Sequence, residues 1–260
     1  MAGFDRYENI LKLFTQTHSS WTVVEMSVRL GGAASTTYRT VRELVAAGFL
    51  ESAVEAQYRL GPALMEFEHI MRVTDPLVRA RPIFLESLVE QVTIPCTALL
   101  ARLYGERVMC VAKAGSPIAT QPSSYRRGRP MPILLGATSK AVLAGLTSRR
   151  RTQLMRSVGP KDPAQHLLLA VELNRIRKVG VSITSGEVDQ GAVGVAVSIQ
   201  NKSLGINASL SLIFAASEFG KVNDHTLTAL LTSHARLIEN FIEDAYQDIL
   251  RRVKPEITTL

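Results

Sequence analysis

Ser35, Thr36 and Arg39 lie close together, with Arg42 a turn further on. At 3.6 residues per turn, Ser35, Arg39 and Arg42 share one side of a helix with Thr36 at its margin, while Thr37, Val41, Leu44 and Val45 share the other. A short, polar, basic face of this kind suits nucleic acid. Hydroxyls near the positive helix end donate to phosphates or base edges, and a guanidinium reaches the paired acceptors of guanine. Arg42 and the later Arg59 are better placed for phosphates. The competing reading is a solvated face in which Arg39 and Arg42 pair with Glu43 or Glu25.

A second constellation is the run Leu135-Gly136-Ala137-Thr138-Ser139. Its small residues let a ligand approach the free N–H groups at the start of a helix, which suits a carboxylate. The bland alternative is an ordinary helix cap. Arg126, Arg127 and Arg129 lie on the approach and would concentrate an anionic ligand, unless they are simply a solvated loop.

Enzyme chemistry has no visible carrier. His18, His69, His166, His225 and His234 follow no metal spacing, no phosphate-loop or nucleophile-elbow motif occurs, and the glycines at 186–194 lack the dinucleotide pattern. No cofactor or metal is expected. Cys96 and Cys110 sit in separate apolar segments and read as buried packing residues, with neither a disulfide nor a zinc site.

The elements that must position these residues follow from periodicity. Helical spacing covers 5–17 and 23–30, the latter with Thr22 and Glu25 in a capping-box pattern before a Gly31-Gly32 break. A third helix opens at Ser35 and stops at Gly48, and two short strands, 49–51 and 57–60, read as a hairpin wing. Three short helices and a wing form an arrangement that sets one helix into the major groove. A helix over 63–73 reads as a linker, with Asp75-Pro76 interrupting it.

Beyond it the spacing predicts a helix at 83–92, strands at 97–104 and 108–112, and a polar loop at 121–129. A buried strand at 131–135 and helices at 138–146 and 167–179 follow. Strands at 193–199 and 206–214 and a long helix at 224–252 end the chain. This order indicates an α+β domain.

Composition bounds the partners. The 260 residues are 46% hydrophobic and carry a net charge of +7. Residues 1–62 hold six basic and six acidic side chains, whereas 113–182 hold thirteen Lys or Arg against Asp162 and Glu172 alone. The surplus charge therefore lies away from the polar helix. No apolar run is long enough to span a membrane, and Asp5, Arg6 and Glu8 stand where a secretion signal needs an apolar core, so a cytoplasmic location is expected.

The residues Leu30-Gly31, Ser35-Thr36, Tyr38-Arg39, Leu44, Gly48-Phe49-Leu50 and Tyr58-Arg59-Leu60-Gly61 resemble the IclR family of bacterial transcriptional regulators. So do Gly128, Pro132, Lys140-Ala141, Leu143-Ala144, Ile176-Arg177, Gly180, Glu187 and Gly191, in the family's order. The resemblance implies a winged helix-turn-helix over 1–62, a linker helix over 63–74, and an effector-binding domain over 75–260 similar to the GAF and PAS sensors. It implies double-stranded operator DNA and a small acidic metabolite as partners, in a homodimer or tetramer, with no membrane partner. It adds Tyr38 to Ser35, Thr36, Arg39, Arg42 and Arg59 at the DNA. For the effector it points to Met131 as an apolar wall and Gly136, Ala137 and Thr138 as an anion cradle. Thr184 and Glu187 would stand on a facing loop, and Ser209 and Ser211 on the last strand.

The chain departs from the family at Ala34, near a usual lysine, at Thr37 and Thr40, near usual aliphatic residues, and at Ile213-Phe214, where a serine-glycine ending is common. Two other function classes compete: a metabolite sensor or scaffold without specific DNA binding, and a small-molecule enzyme.

Overall fold

The computed structural model describes residues 3–116, 123–221 and 223–257. The chain divides into two compact units, 1–74 and 75–260. Of the expected loop at 121–129, residues 123–129 are irregular as expected, and Gln121 and Pro122 lie outside the described residues.

The smaller unit runs α1 (Asp5–Leu11), β1 (Ser20–Thr22), α2 (Val23–Leu30), α3 (Ala34–Ala46), β2 (Leu50–Ser52), β3 (Gln57–Leu60) and α4 (Ala63–Thr74). Thr22 caps α2 reciprocally with Glu25: the Glu25 N–H donates to Thr22 Oγ1 at 3.2 Å and the Thr22 N–H to Glu25 Oε2 at 2.7 Å. Ile10, Met26, Val41, Leu44 and Leu50 form one buried cluster that fixes α1, α2 and α3 against the hairpin.

Two sequence expectations change here. The first helix ends at Leu11 rather than Thr17. The indole N–H of Trp21 donates to Leu13 O instead, and Leu13 and Phe14 join the core from a turn. Residues 20–22 form a strand the sequence did not announce, paired antiparallel with β3 outside the hairpin, so the wing sheet has the order β1-β3-β2.

Gly61 closes that sheet. A Cβ there would lie 2.3 Å from Gly48 O, while its N–H donates to Phe49 O at 2.8 Å, so the chain leaving the wing passes too near the end of α3 for any side chain.

The larger unit opens with α5 (Pro76–Arg79), a π turn at Arg81–Leu85 and α6 (Glu86–Gln91), so helical structure starts at Pro76 rather than residue 83. Asp75 explains the early start, since its carboxylate accepts from the N–H groups of Leu77 and Val78. Then follow β4 (Cys96–Tyr104), β5 (Arg107–Gly115), β6 (Pro130–Pro132), α7 (Gly136–Gly145), α8 (Ser148–Val158) and α9 (Pro163–Val179). The chain continues with β7 (Ser182–Ser185), β8 (Ala192–Asn201), β9 (Ile206–Ala215), α10 (Ala216–Phe219) and α11 (Asp224–Ile257). Six strands make one antiparallel sheet in the order β6-β5-β4-β9-β8-β7.

Alternation along β9 assigns the two faces. Ala208, Leu210, Leu212 and Phe214 pack with Leu77, Leu88, Leu227 and Ile238 of α5, α6 and α11, while Ser209, Ser211 and Ile213 face the other way, towards α7. There Ala137, Ala141 and Ala196 pack together, and a Cβ on Gly194 would lie 3.3 Å from that of Ala137. Small side chains thus seat α7 directly on the sheet. It is buried on every side from Gly136 to Ala144, which places the one charge in that stretch, Lys140, in the interior.

Candidate nucleic-acid interface and ligand site

Helix α3 presents Ser35, Thr36, Tyr38, Arg39 and Arg42 to solvent, and buries Thr37, Thr40, Val41 and Leu44. Thr37 and Thr40 keep their hydroxyls satisfied inside by donating to Ala33 O and Thr36 O, one turn back. The helix begins at Ala34 after Ala33, whose side chain offers no cap, so the first N–H groups of α3 point outward without a protein acceptor from that residue.

The carboxylates nearest its arginines in the sequence reading, Glu43 and Glu25, are engaged elsewhere. Glu43 accepts from Arg6 at 3.1 Å and from the Tyr7 hydroxyl at 2.6 Å, and Glu25 caps α2. Among the described residues, Arg39 and Arg42 enter no ion pair. Arg59, in contrast, is bound across the wing by Glu51 at 2.6 Å. Cross-strand register produces that pair, because Glu51 stands directly opposite Arg59. The tip of the wing carries Glu55 and Ala56 in the left-handed region, at φ 56 and 55, where non-glycine residues are held only by their surroundings.

In the larger unit, Gly136, Ala137, Thr138, Thr184 and Glu187 line one cavity of about 20 Å³, together with Tyr125. That volume matches about one water molecule. The N–H groups expected to be free are occupied from within. Gly136 N–H donates to Glu187 Oε2 at 2.9 Å, and Ala137 N–H to Thr184 Oγ1 at 2.9 Å.

Thr184 lies in strand β7, opposite Gly194, and not on a loop. The expected strand at 131–135 shortens to β6, whose Met131 stands opposite Val108. After β6 the chain turns through 133–135 so that α7 starts at Gly136, two residues before the expected Thr138. Met131 packs with Leu99, Cys110, Tyr125 and Ile213 in the apolar cluster beside the cavity. Ser209 donates to Thr138 O at 3.0 Å. Thr138 Oγ1 and Ser211 Oγ are buried without a hydrogen-bond partner.

Two contributors are not among the expected effector residues, although Lys140 belongs to the run that carries the family resemblance. Lys140 Nζ lies 2.8 Å from both Glu172 Oε1 and Glu187 Oε1. Burial works against its charge, but the two carboxylates outweigh it and hold the ammonium above the ordinary lysine pKa. A lone charge in the run GATSKAVLAG was the available signal. Tyr125 is the second: its buried hydroxyl lies 2.9 Å from Ser139 Oγ and donates to Leu135 O, and burial pushes its pKa up. Nothing in its polar surroundings marked it for the core.

Among the described residues no group of three or more His, Cys, Asp or Glu could hold a metal, and no helix is long and apolar enough to cross a membrane.

Residues 5–53 match the profile of the IclR helix-turn-helix domain, and residues 72–240 that of the bacterial transcriptional regulator IclR C-terminal domain. The chain is 26% identical over 214 residues to the HTH-type transcriptional regulator XynR of Escherichia coli (strain K12), spanning 80% of this chain and 84% of that protein. An IclR homologue from Microbacterium hydrocarbonoxydans, crystallised with 4-hydroxybenzoate, superposes with a TM-score of 0.73 at 21% identity, over 92% of this chain and 98% of the other. An IclR-type regulator from Alicyclobacillus acidocaldarius gives 0.72 at 20% identity, over 93% and 99%. At such identities the two structures speak to the fold alone. With both profiles matched in order along an α+β chain that joins a helix-turn-helix to an effector domain, the protein belongs to the IclR family of bacterial transcriptional regulators.

Proposed function

We propose that this regulator reads operator DNA through Ser35, Thr36, Tyr38, Arg39 and Arg42 on α3, with Arg59 steadying the wing on the backbone. A small carboxylate bound at the start of α7 controls it. The observation that carries the DNA assignment is that Arg39 and Arg42 keep their charge uncompensated while the nearby acids are committed elsewhere.

For the effector, the cavity at Gly136 already holds a carboxylate, that of Glu187, beside the buried Lys140 and the Thr138 hydroxyl. An effector there would meet Gly136, Ala137, Thr138, Thr184 and Glu187 directly, Met131 and Ser211 in the adjoining layer, and Ser209 through Thr138. The Microbacterium homologue, crystallised with an aromatic hydroxyacid, supports that class.

The protein acts in the cytoplasm as a homo-oligomer and catalyses no reaction. Helix α4 supports self-association, since Met65, Phe67, Ile70, Met71 and Val73 are all exposed on it, more apolar area than a short solvated helix usually leaves uncovered.

A gel shift on promoter fragments from neighbouring genes tests the reading. Arg39→Ala loses ~1–3 kcal/mol of discrimination between operator and random DNA, whereas Arg59→Ala weakens both alike. Equal loss on both DNAs for both variants, or no specific shift of the wild type, overturns the assignment. For the effector, a thermal-shift panel of carboxylic acids, 4-hydroxybenzoate among them, raises the melting temperature, and the matching alcohols and amides do not.

A further inference from the structure

The carboxylate of Glu187 occupies the position an effector carboxylate would take. Its Oε2 accepts from the first N–H of α7 and its Oε1 sits 2.8 Å from the Lys140 ammonium, the two strongest positive features at the cavity. Lys140 is shared with Glu172 of α9, so the ammonium stays paired if Glu187 leaves. Val188, the next residue, closes the site: a methyl group on Gly136 would lie 2.6 Å from Val188 Cγ2.

The segment carrying both is bracketed by Gly186 and Gly191, at φ +69 and +74, and is tied down by Asp189, which accepts from the N–H and hydroxyl of Ser124. Under it, Thr138 Oγ1 lies buried on the cavity wall with no hydrogen bond of good geometry, the Tyr125 hydroxyl being its nearby polar neighbour.

We infer that Glu187 sets the selectivity of the effector site by acting as a tethered competitor for the carboxylate position. The inference rests on the carboxylate reading above. A tethered group has an effective concentration in the millimolar range or above. A small free acid such as acetate therefore exchanges one carboxylate for an equal one and gains no entry. An acid whose apolar body exceeds the valine side chain, such as an aromatic ring, does gain, because it replaces Val188 against Leu99, Met131 and Ile213 and buries more apolar area than Val188 gives up.

The test titrates the full-length chain with sodium acetate, and separately with 4-hydroxybenzoate, against sodium chloride at equal ionic strength, read by thermal shift and calorimetry. In wild type, acetate gives no saturable response. In Glu187→Ala it binds saturably at the vacated donors, at least about tenfold tighter than in wild type. Glu187→Gln keeps a neutral acceptor for the Gly136 N–H and removes one of the two carboxylates at Lys140, which stays paired with Glu172. It shows the same gain to a smaller degree and carries the test if the alanine variant does not fold.

Equal acetate affinity in wild type and both variants, or the same response to chloride, overturns the inference. Uptake of acetate by the variants while wild type ignores every acid in the panel supports the tethered competitor and removes the carboxylate effector. A panel acid that binds wild type and gains nothing in the variants keeps the effector and overturns the competitor.

Discussion

Replacing Gly136 by alanine puts a number on how tightly the cavity is shut. The residue sits at φ +79, where an L side chain costs ~1–2 kcal/mol. The new methyl would stand 2.6 Å from Val188 Cγ2 and 3.4 Å from the Tyr125 hydroxyl. Valine is stiff at χ1 and Tyr125 is fully buried, so the contact must be relieved by displacing backbone, an overpacking cost of ~1–3 kcal/mol.

Gly205→Ala in the turn between β8 and β9 is the matched control, with φ +63 and nothing within 4 Å of the added methyl. It should lose only the conformational part. The difference between the two variants is then ~1–3 kcal/mol, and each kcal/mol lowers the melting temperature of a unit of this size by about 2–4 °C. Far-UV circular dichroism reads the transition. Trp21 is the chain's only tryptophan and lies in the smaller unit, so its fluorescence tracks the unit that neither variant touches. Equal losses for Gly136→Ala and Gly205→Ala would show that Val188 does not press on Gly136, and the closed cavity would be refuted.

Two further perturbations bear on other parts of the molecule. Burial pushes the Cys96 thiol up to about 12 and the Cys110 thiol to about 11, so native protein leaves Ellman's reagent unreacted at pH 8 and yields both thiols in denaturant. Both shifts favour the neutral thiol in the folded chain. Their stabilisation is complete below the unfolded pKa near ~8.5 and declines as pH rises towards the folded values, and rapid native labelling would contradict it. In the wing, Glu51→Gln releases Arg59 from its 2.6 Å partner, so binding to any DNA sequence strengthens and the slope of affinity against salt steepens by about one unit; an unchanged slope would show that Arg59 does not reach phosphate.

The elements set by local chemistry were legible in the sequence, and those set by distant pairing were not. The capping box at Thr22 and Glu25 fixes the start of α2, and the alternation of Thr37, Val41 and Leu44 with Ser35, Arg39 and Arg42 fixes the faces of α3. Strand β1 exists only because β3 supplies its partners, and three residues offer too short a pattern to announce it. The same limit applies to Arg59, which looked free until register set Glu51 opposite it. At the cavity, Gly136 to Thr138 stood out as small residues opening a helix. That the helix was already answered by Glu187 and Thr184 depends on β7 returning beside β8, a long-range placement with no local signature.

Strand β6 carries one more consequence. It forms an outer border of the six-stranded sheet, where open backbone groups ordinarily invite another chain to add itself. Two of its three residues, Pro130 and Pro132, have no N–H to offer. On that side the sheet is blunted against the addition of a further strand from another copy.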